Sequence, residues 1–331
     1  MKKFAMAAVA AAALSAGVAQ AYTVGTFSNG FVVPNVIHNG DTDTTAVGII
    51  NQTGNVVPVF WTFFDANSNH VTDGCFPLTN KDYEPFIWSQ QSGSGLAGTR
   101  GYLVFAVGAN TSSTTAAGAC AVTNAVGAPA LAPAATAPIA GVGFAGGIGA
   151  NAFQVNTTNQ DVAFVPVIDG PLVFATGTDL TTMGPASLLA VGGARTIDPG
   201  TTFSATPAFS MRYAVDSQKD AGLETRIVVW STGDQRGTHT VNMYDAAQNR
   251  KSVNFALTEA ELSFFNPETI PGRPANFTDG FIEWSPKAAV PADYPASGSG
   301  PLAVIGGSVF TYSLISAPAF GAVQSVLGSH N

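Results

Sequence analysis

The segments TAVGIINQTGNVVPVFWTFFDANSN, residues 45–69, and TRIVVWSTGDQRGTHTVNMYDAAQN, residues 225–249, are two copies of one pattern in the same chain. At one constant spacing they share the pairs Thr45/Thr225, Asp65/Asp245, Ala66/Ala246 and Asn69/Asn249. After a one-residue deletion in the second copy, the identities continue through Phe76/Phe255, Leu78/Leu257, Thr79/Thr258, Phe86/Phe265 and Gly101/Gly280. A repeat of this kind predicts that one architecture occurs twice, and it lets each residue be compared with its counterpart.

Both copies consist of short runs of β-branched and aromatic residues separated by Gly, Asn, Asp and Pro, a pattern typical of antiparallel strands and hairpins. The apolar run at 57–64 leads into the polar turn DANSN, and the run at 241–244 leads into DAAQN. Beyond the first 21 residues, no segment combines helical periodicity with caps. We therefore predict an all-β fold of two tandem immunoglobulin-like β-sandwich modules that arose by internal duplication.

The N-terminus has the three zones of a secretory signal peptide, with two lysines, an apolar run and Ala-Gln-Ala at 19–21. We predict a signal peptide at residues 1–21, module 1 at 22–203 and module 2 at 204–331. An insertion at about 108–186 enlarges module 1; its early part is Ala/Gly/Pro-rich and its later part has strand-like runs. Similar segments at 189–193 and 303–307, followed by Pro-Ala-Phe, predict that each module ends in two further strands.

One face of module 1 differs from its counterpart in module 2. Phe60 and Val104 stand where the second copy has Thr240 and Glu283. Exposed apolar patches of this kind rarely remain bare. We therefore expect this face to be covered, either by the insertion or by the surface of a partner.

The chain has two cysteines, and an even number in an exported protein predicts a disulfide. Cys75 lies in the repeated unit and Cys120 in the insertion, so a Cys75–Cys120 bond would attach the insertion to module 1.

The charge of the chain limits its partners. Only 10% of the residues are charged, and the formal net charge is -8. Nucleic acid is an unsuitable partner, because it is bound by clustered Lys and Arg that this sequence lacks. No apolar run after the signal approaches the roughly 20 residues of a spanning helix. We expect a secreted protein, extracellular or at the cell surface, with the periplasm left open.

Oxygen donors alternate at Asp65, Asn67, Asn69 and Asp73, as in a calcium-binding loop. The loop lacks the usual glycine at its sixth position, where His70 stands, and lacks the closing glutamate. Asp and Asn also form hairpin turns without a metal, because they bond their own backbone. We expect no cofactor, with calcium at this loop as the alternative.

A possible ligand site lies in the segment YEPFIW, residues 83–88. Tyr83 and Trp88 are flat aromatic residues that could stack on sugar rings, and Glu84 could bond sugar hydroxyls. The alternative is that Trp88 packs beneath the insertion.

These observations favour a structural or adhesive surface protein without enzymatic activity, for which self-association is one mode of action. The expected partners are further copies, other surface proteins or polysaccharide. Carbohydrate binding through module 1 aromatics is the second hypothesis, and a secreted hydrolase is the least supported. No nucleophile elbow occurs, no two histidines stand at metal-ligand spacing, and the carboxylate shared by both copies, Asp65/Asp245, is best explained as a turn former.

Overall fold

The structure is a computed structural model that describes residues 26–91, 96–108, 120, 147–175, 178–196, 209–215, 222–286 and 308–330. The predicted signal peptide lies outside these residues. Strands make up nearly all of the regular structure in the described part, with three short 3-10 helices at Trp88–Gln90, Pro267–Thr269 and Pro318–Phe320. The prediction of an all-β fold is confirmed.

The strands follow one another in pairs and short runs along the chain. The first eleven are β1 (Gly30–His38), β2 (Asp43–Asn51), β3 (Val57–Asp65), β4 (His70–Leu78), β5 (Tyr83–Ile87), β6 (Thr99–Val107), β7 (Ile148–Asn156), β8 (Asp161–Val165), β9 (Ile168–Asp169), β10 (Leu172–Phe174) and β11 (Leu188–Val191). The others are β12 (Arg195–Thr196), β13 (Phe209–Ala214), β14 (Glu224–Ser231), β15 (Gly237–Asp245), β16 (Arg250–Leu257), β17 (Leu262–Phe265), β18 (Asp279–Trp284), β19 (Ser308–Ala317), β20 (Ala322–Leu327) and β21 (Ser329–His330).

The first half of the chain forms two antiparallel arrays that meet at the β1–β2 hairpin. Sheet 1 has the order β5-β2-β7-β8, and sheet 2 has the order β4-β3-β6-β1, with β9 paired to β1. β1 pairs with β2 at His38 and Thr44. The inward residues of both arrays, among them Val47, Phe63 and Phe105, form a common hydrophobic core.

The second half repeats this order. Sheet 3 is β17-β14-β19-β20, with β12 also on β19, and sheet 4 is β16-β15-β18-β13-β21. Val229, Met243 and Trp284 belong to the core between them. Strand by strand, sheet 1 corresponds to sheet 3 and sheet 2 corresponds to sheet 4.

Part of the stretch predicted as an insertion belongs to sheet 1. β7 and β8 lie within residues 108–186, and in sheet 1 they take the places that β19 and β20 take in sheet 3. The strand expected at 189–193 is present as β11, but it pairs with β10 and not with sheet 1 or sheet 2. Phe209, expected in the second closing strand, opens β13. Residues 108–147 separate β7 from β6 in the sequence. β7 therefore does not keep the constant spacing of the repeat, and comparison of the two copies does not pair it with β19.

The outer face of sheet 2 packs against the outer face of sheet 3. Phe60 and Val104 are 2% and 1% exposed, and they share a hydrophobic cluster with Trp230 and Phe310 of sheet 3. Leu172, Phe174, Leu180, Met183 and other residues between 168 and 191 complete this cluster. The apolar face of module 1 is therefore covered as expected, by the insertion and also by module 2. The four sheets form a stack with three cores.

Two covalent or steric features explain residues singled out in the sequence. Cys75 on β4 is bonded to Cys120, in the connection between β6 and β7. Gly101 and Gly280, a matched pair of the repeat, lie opposite Asp65 and Asp245 in the neighbouring strands. A Cβ at either glycine would collide with the main-chain oxygen of Phe64 or Tyr244, respectively, so the close strand approach requires glycine in both modules.

Candidate functional site

The turn predicted as a calcium loop is closed by its own side chains. Asp65 Oδ1 accepts hydrogen bonds from the main-chain N–H groups of Asn67, at 2.8 Å, and Asn69, at 2.9 Å. Asp65 Oδ2 accepts a third bond, at 2.8 Å, from Asn69 Nδ2. Ser68 has a positive φ of 62°, which a tight turn of this kind requires.

The counterpart in module 2 has the same bonds without the middle oxygen donor. Asp245 Oδ1 accepts from the N–H groups of Ala247 and Asn249, and its Oδ2 accepts from Asn249 Nδ2. The side-chain bond from Asn249 is the main cause that holds the pKa of Asp245 below its ordinary value. Because Ala247 cannot ligate a metal through its side chain, turn formation accounts for the residues that the copies share.

The remaining predicted calcium donors are directed elsewhere. Asn67 Oδ1 accepts from Ala260 N–H at 3.1 Å, and Asn67 Nδ2 donates to Glu259, so this side chain bridges to module 2. Asp73 contacts His70 Nε2 at 3.2 Å. The structure thus brings Asp65, Asn67 and Asn69 into one turn and pairs Asp73 with His70. Within the described residues, no group of three or more His, Cys, Asp or Glu side chains is arranged to hold a metal.

A buried polar network joins the modules beside this turn. Tyr102 donates its hydroxyl to Glu261 Oε2 at 2.6 Å and lies 2.5 Å from Ser68 Oγ. The three residues are 2%, 4% and 0% exposed, in that order. Burial raises the pKa of Tyr102 well above its ordinary value, and the charge of Glu261 adds to this. Sequence reasoning missed this network, although Tyr102 stands where the repeat has Phe281, and that added hydroxyl was the available signal.

The predicted carbohydrate site does not exist as a single surface. Trp88 is fully buried and packs against the rings of Trp61, Phe63 and Phe86, so its proposed role as a stacking platform is wrong. Tyr83 is 58% exposed. Glu84 follows Tyr83 directly in a strand, so the two side chains point to opposite faces of sheet 1.

Tyr83 belongs to an exposed, largely apolar surface, which we call the sheet 1 face. This face consists of Ala46, Gly48, Ile50, Tyr83, Pro85, Ile87, Asn151, Phe153, Val162 and Phe164. Val162 is 58% exposed and Phe153 is 39% exposed. A Cβ at Gly48 would lie 2.7–3.1 Å from three atoms of Tyr83, so the ring of Tyr83 lies across the glycine. The equivalent face of sheet 3 is buried against sheet 2.

The opposite end of the stack carries the sheet 4 face. It consists of Thr240, Asn242, Tyr244, Arg250, Ser252, Asn254, Phe281, Glu283 and Arg212. Tyr244 and Phe281 are stacked with ring centroids 4.6 Å apart. Their counterparts, Phe64 and Tyr102, are stacked in the same manner at 5.1 Å and are buried between the modules. Polar side chains surround the exposed pair, including Arg250, which donates to Asn242.

No protein-family model matches the chain, and no curated protein matches it significantly. The similar solved structures include several of oxalate decarboxylase from Bacillus subtilis. A deletion mutant is 10% identical, covers 91% of this chain and 68% of its own, and has a TM-score of 0.15. The structure at pH 4.6 is 11% identical, with coverages of 91% and 68% and a TM-score of 0.16. Another of these structures concerns the Mn(II) centres of that enzyme.

This finding corrects one expectation from the sequence. The chain was expected to have no enzymatic activity, but the solved structures to which it is similar include structures of an enzyme. That expectation is therefore withdrawn. With TM-scores of 0.15 and 0.16, the similarity carries no argument for a decarboxylase fold, activity or metal in this chain.

No helix in the part of the chain that the structure describes has the length and apolar character needed to cross a membrane.

Proposed function

We infer that the two halves are immunoglobulin-like modules that arose by internal duplication. The shared strand order of sheets 1 and 3 and of sheets 2 and 4 supports this. The identical bonding of the Asp65 and Asp245 turns and the matched glycines Gly101 and Gly280 support it further, because these details are independent of the strand order.

We propose that the mature chain is a secreted structural or adhesive protein that works by self-association at the cell surface. The observation that carries this proposal is the sheet 1 face, where Tyr83, Phe153 and Val162 are exposed on neighbouring strands of one sheet. Surfaces of this kind mark interaction sites, because water disfavours large contiguous apolar patches. The equivalent face of sheet 3 is occupied by a neighbouring module, which supports a protein as its partner.

Export is the second part of the proposal. The three-zone N-terminus at residues 1–21 and the Cys75–Cys120 bond support it, since disulfides persist in oxidising compartments. Fractionation of the producing cells, followed by mass spectrometry of the N-terminus, tests it. A mature chain that begins at residue 22 and is found outside the cytoplasm is expected; an intact leader on a cytoplasmic chain would contradict export.

Analytical ultracentrifugation of the mature protein over a range of concentrations tests self-association. The double variant Tyr83→Lys with Val162→Lys is expected to reduce the average mass toward that of a monomer. Val71→Lys is the matched control, because Val71 is 39% exposed but lies on β4, outside the sheet 1 face. A wild-type protein that is monomeric at every concentration would contradict the proposal.

Polysaccharide binding is the second candidate, and the flat, exposed ring of Tyr83 across Gly48 favours it. Aromatic rings in this orientation can stack on sugar rings. Retention on immobilised polysaccharides that is lost in Tyr83→Ala and kept in Trp88→Phe is expected for this function. Equal retention of wild type and Tyr83→Ala would exclude the sheet 1 face as the sugar site.

A further inference from the structure

We propose that the sheet 1 face of one copy binds the sheet 4 face of a second copy, so that the contact between modules within the chain is repeated between chains. This inference rests on the proposed self-association and specifies its geometry. Within the chain, the outer face of sheet 3 packs on the outer face of sheet 2. Sheet 1 corresponds to sheet 3, and sheet 4 corresponds to sheet 2. Among the described residues these two end faces are uncovered, and they correspond to the two halves of the same contact.

Part of the apolar contact recurs at the two ends, although Thr240 and Glu283 replace Phe60 and Val104 on the sheet 4 face. At the internal contact, the stacked pair Phe64–Tyr102 meets Trp230, whose ring centroid lies 5.9 Å from that of Tyr102. The sheet 4 face keeps such a stacked pair in Tyr244 and Phe281, and Phe281 is 38% exposed. On the sheet 1 face, the matching positions keep apolar residues, since Tyr83 is the counterpart of Leu262 and Ile50 is the counterpart of Trp230.

The two end faces differ in charge. Arg250 and Arg212 flank the Tyr244–Phe281 pair in neighbouring strands of sheet 4. Arg212 pairs with Asp279, and Glu283 accepts a hydrogen bond from Tyr244, so the sheet 4 face carries both signs of charge. The residues of the sheet 1 face are uncharged. The contact between the two faces therefore relies on apolar packing around the Tyr244–Phe281 pair.

The geometry has a consequence for the size of the assembly. The two faces lie on different surfaces of one chain, so each bound copy presents a free face of the other kind. Contacts of this heterologous type extend into filaments unless the rotation between copies closes a ring. We therefore expect an open-ended assembly or a ring.

A mixing experiment with two blocked variants of the mature, disulfide-bonded protein tests this proposal. Variant A carries Tyr83→Lys and Val162→Lys on the sheet 1 face, and variant B carries Arg250→Glu and Phe281→Asn on the sheet 4 face. Lys251→Glu is the control for variant B, because it makes the same charge change next to Arg250 with its side chain on the opposite face of β16. Circular dichroism and thermal melting establish that each variant is folded before its mass is measured.

Each variant alone is expected to associate at least roughly tenfold more weakly than wild type, because each removes an aromatic contact and places an unpaired charge in the interface. Mixed in equal amounts, A and B are expected to form a dimer that does not grow, since A retains the sheet 4 face and B retains the sheet 1 face. Dimers of B alone, with no A–B complex, would overturn the head-to-tail geometry and leave self-association standing. A monomeric wild type would overturn both.

Discussion

Removal of the Tyr102 hydroxyl tests whether the buried network holds the modules together. Tyr102→Phe keeps the ring, which stacks on Phe64 and contacts Trp230, and deletes the group that bonds Glu261 and Ser68. A hydrogen bond to a charged group is worth about 1.5–3 kcal/mol. Because the site is almost fully buried, water cannot readily replace the lost donor. We expect Tyr102→Phe to lower the free energy of unfolding by about 2 kcal/mol.

Urea denaturation at neutral pH, followed by tryptophan fluorescence, measures this loss, since Trp230 lies in contact with Tyr102. A double-mutant cycle of Tyr102→Phe with Glu261→Gln isolates the pairwise energy, which we expect to exceed about 0.5 kcal/mol. Tyr244→Phe is the matched control in module 2. Its hydroxyl also bonds a carboxylate, Glu283 Oε2 at 3.0 Å, but the pair lies on the solvent side of sheet 4. We expect this control to leave stability unchanged within error.

A Tyr102→Phe variant as stable as wild type, or a cycle without coupling between the two residues, would contradict this prediction. Either result would mean that apolar packing of sheet 2 on sheet 3 holds the modules and that the polar network adds nothing. A loss in the Tyr244→Phe control as large as that in Tyr102→Phe would also contradict it, because burial would then not be the cause.

Three further predictions follow from the structure. The pKa of Tyr102 is raised in the native state. The stability that this hydroxyl contributes is therefore full below pH 10.0, the ordinary pKa of tyrosine, and is lost as the pH rises above that value. Tyr102→Phe should show a shallower loss of stability than wild type in alkaline denaturation. Gly101→Ala and Gly280→Ala should each destabilise by about 1–3 kcal/mol in thermal melts because of overpacking, whereas Gly184→Ala, at a site with open space, should have little effect; harmless changes at both glycines would contradict the steric account. Chelation with EDTA should leave the melting temperature and the assembly unchanged, because chain donors occupy the oxygens of the aspartate turns; a drop in either would restore the calcium hypothesis.

Short-range sequence patterns predicted the fold class, the turns and the covered face of module 1. Alternation, turn residues and the lack of capped helical periodicity predicted the all-β fold, because each reflects local backbone preferences. The shared Asp65 and Asp245 were interpreted as turn formers, and the structure shows the same bonds in both. The different apolar character of Phe60 and Thr240 predicted that one face of module 1 is covered, since burial leaves its mark on the residue type.

Other features depend on which segments meet in space. The burial of Trp88 depends on which side of the end of β5 faces the core, and that is set by the packing of sheet 1 on sheet 2. β7 was assigned to an insertion because its pairing with β2 is set by long-range hydrogen bonds and not by sequence spacing. Apolar residues between 168 and 191 cover sheet 2 together with sheet 3. The local sequence of this stretch predicts neither of these contacts.

The sequence by itself determined the strand-rich fold, the repeated residue pattern and the matched turns, because strand alternation, turn chemistry and the identities between the two segments can all be read along one chain. The tertiary structure alone decided that sheets 2 and 3 stack, that Tyr102 meets Glu261, and that, among the described residues, the counterparts of these two stacked faces lie uncovered at the two ends. These features arise from contacts between residues far apart in sequence, where packing of whole sheet surfaces outweighs any local preference.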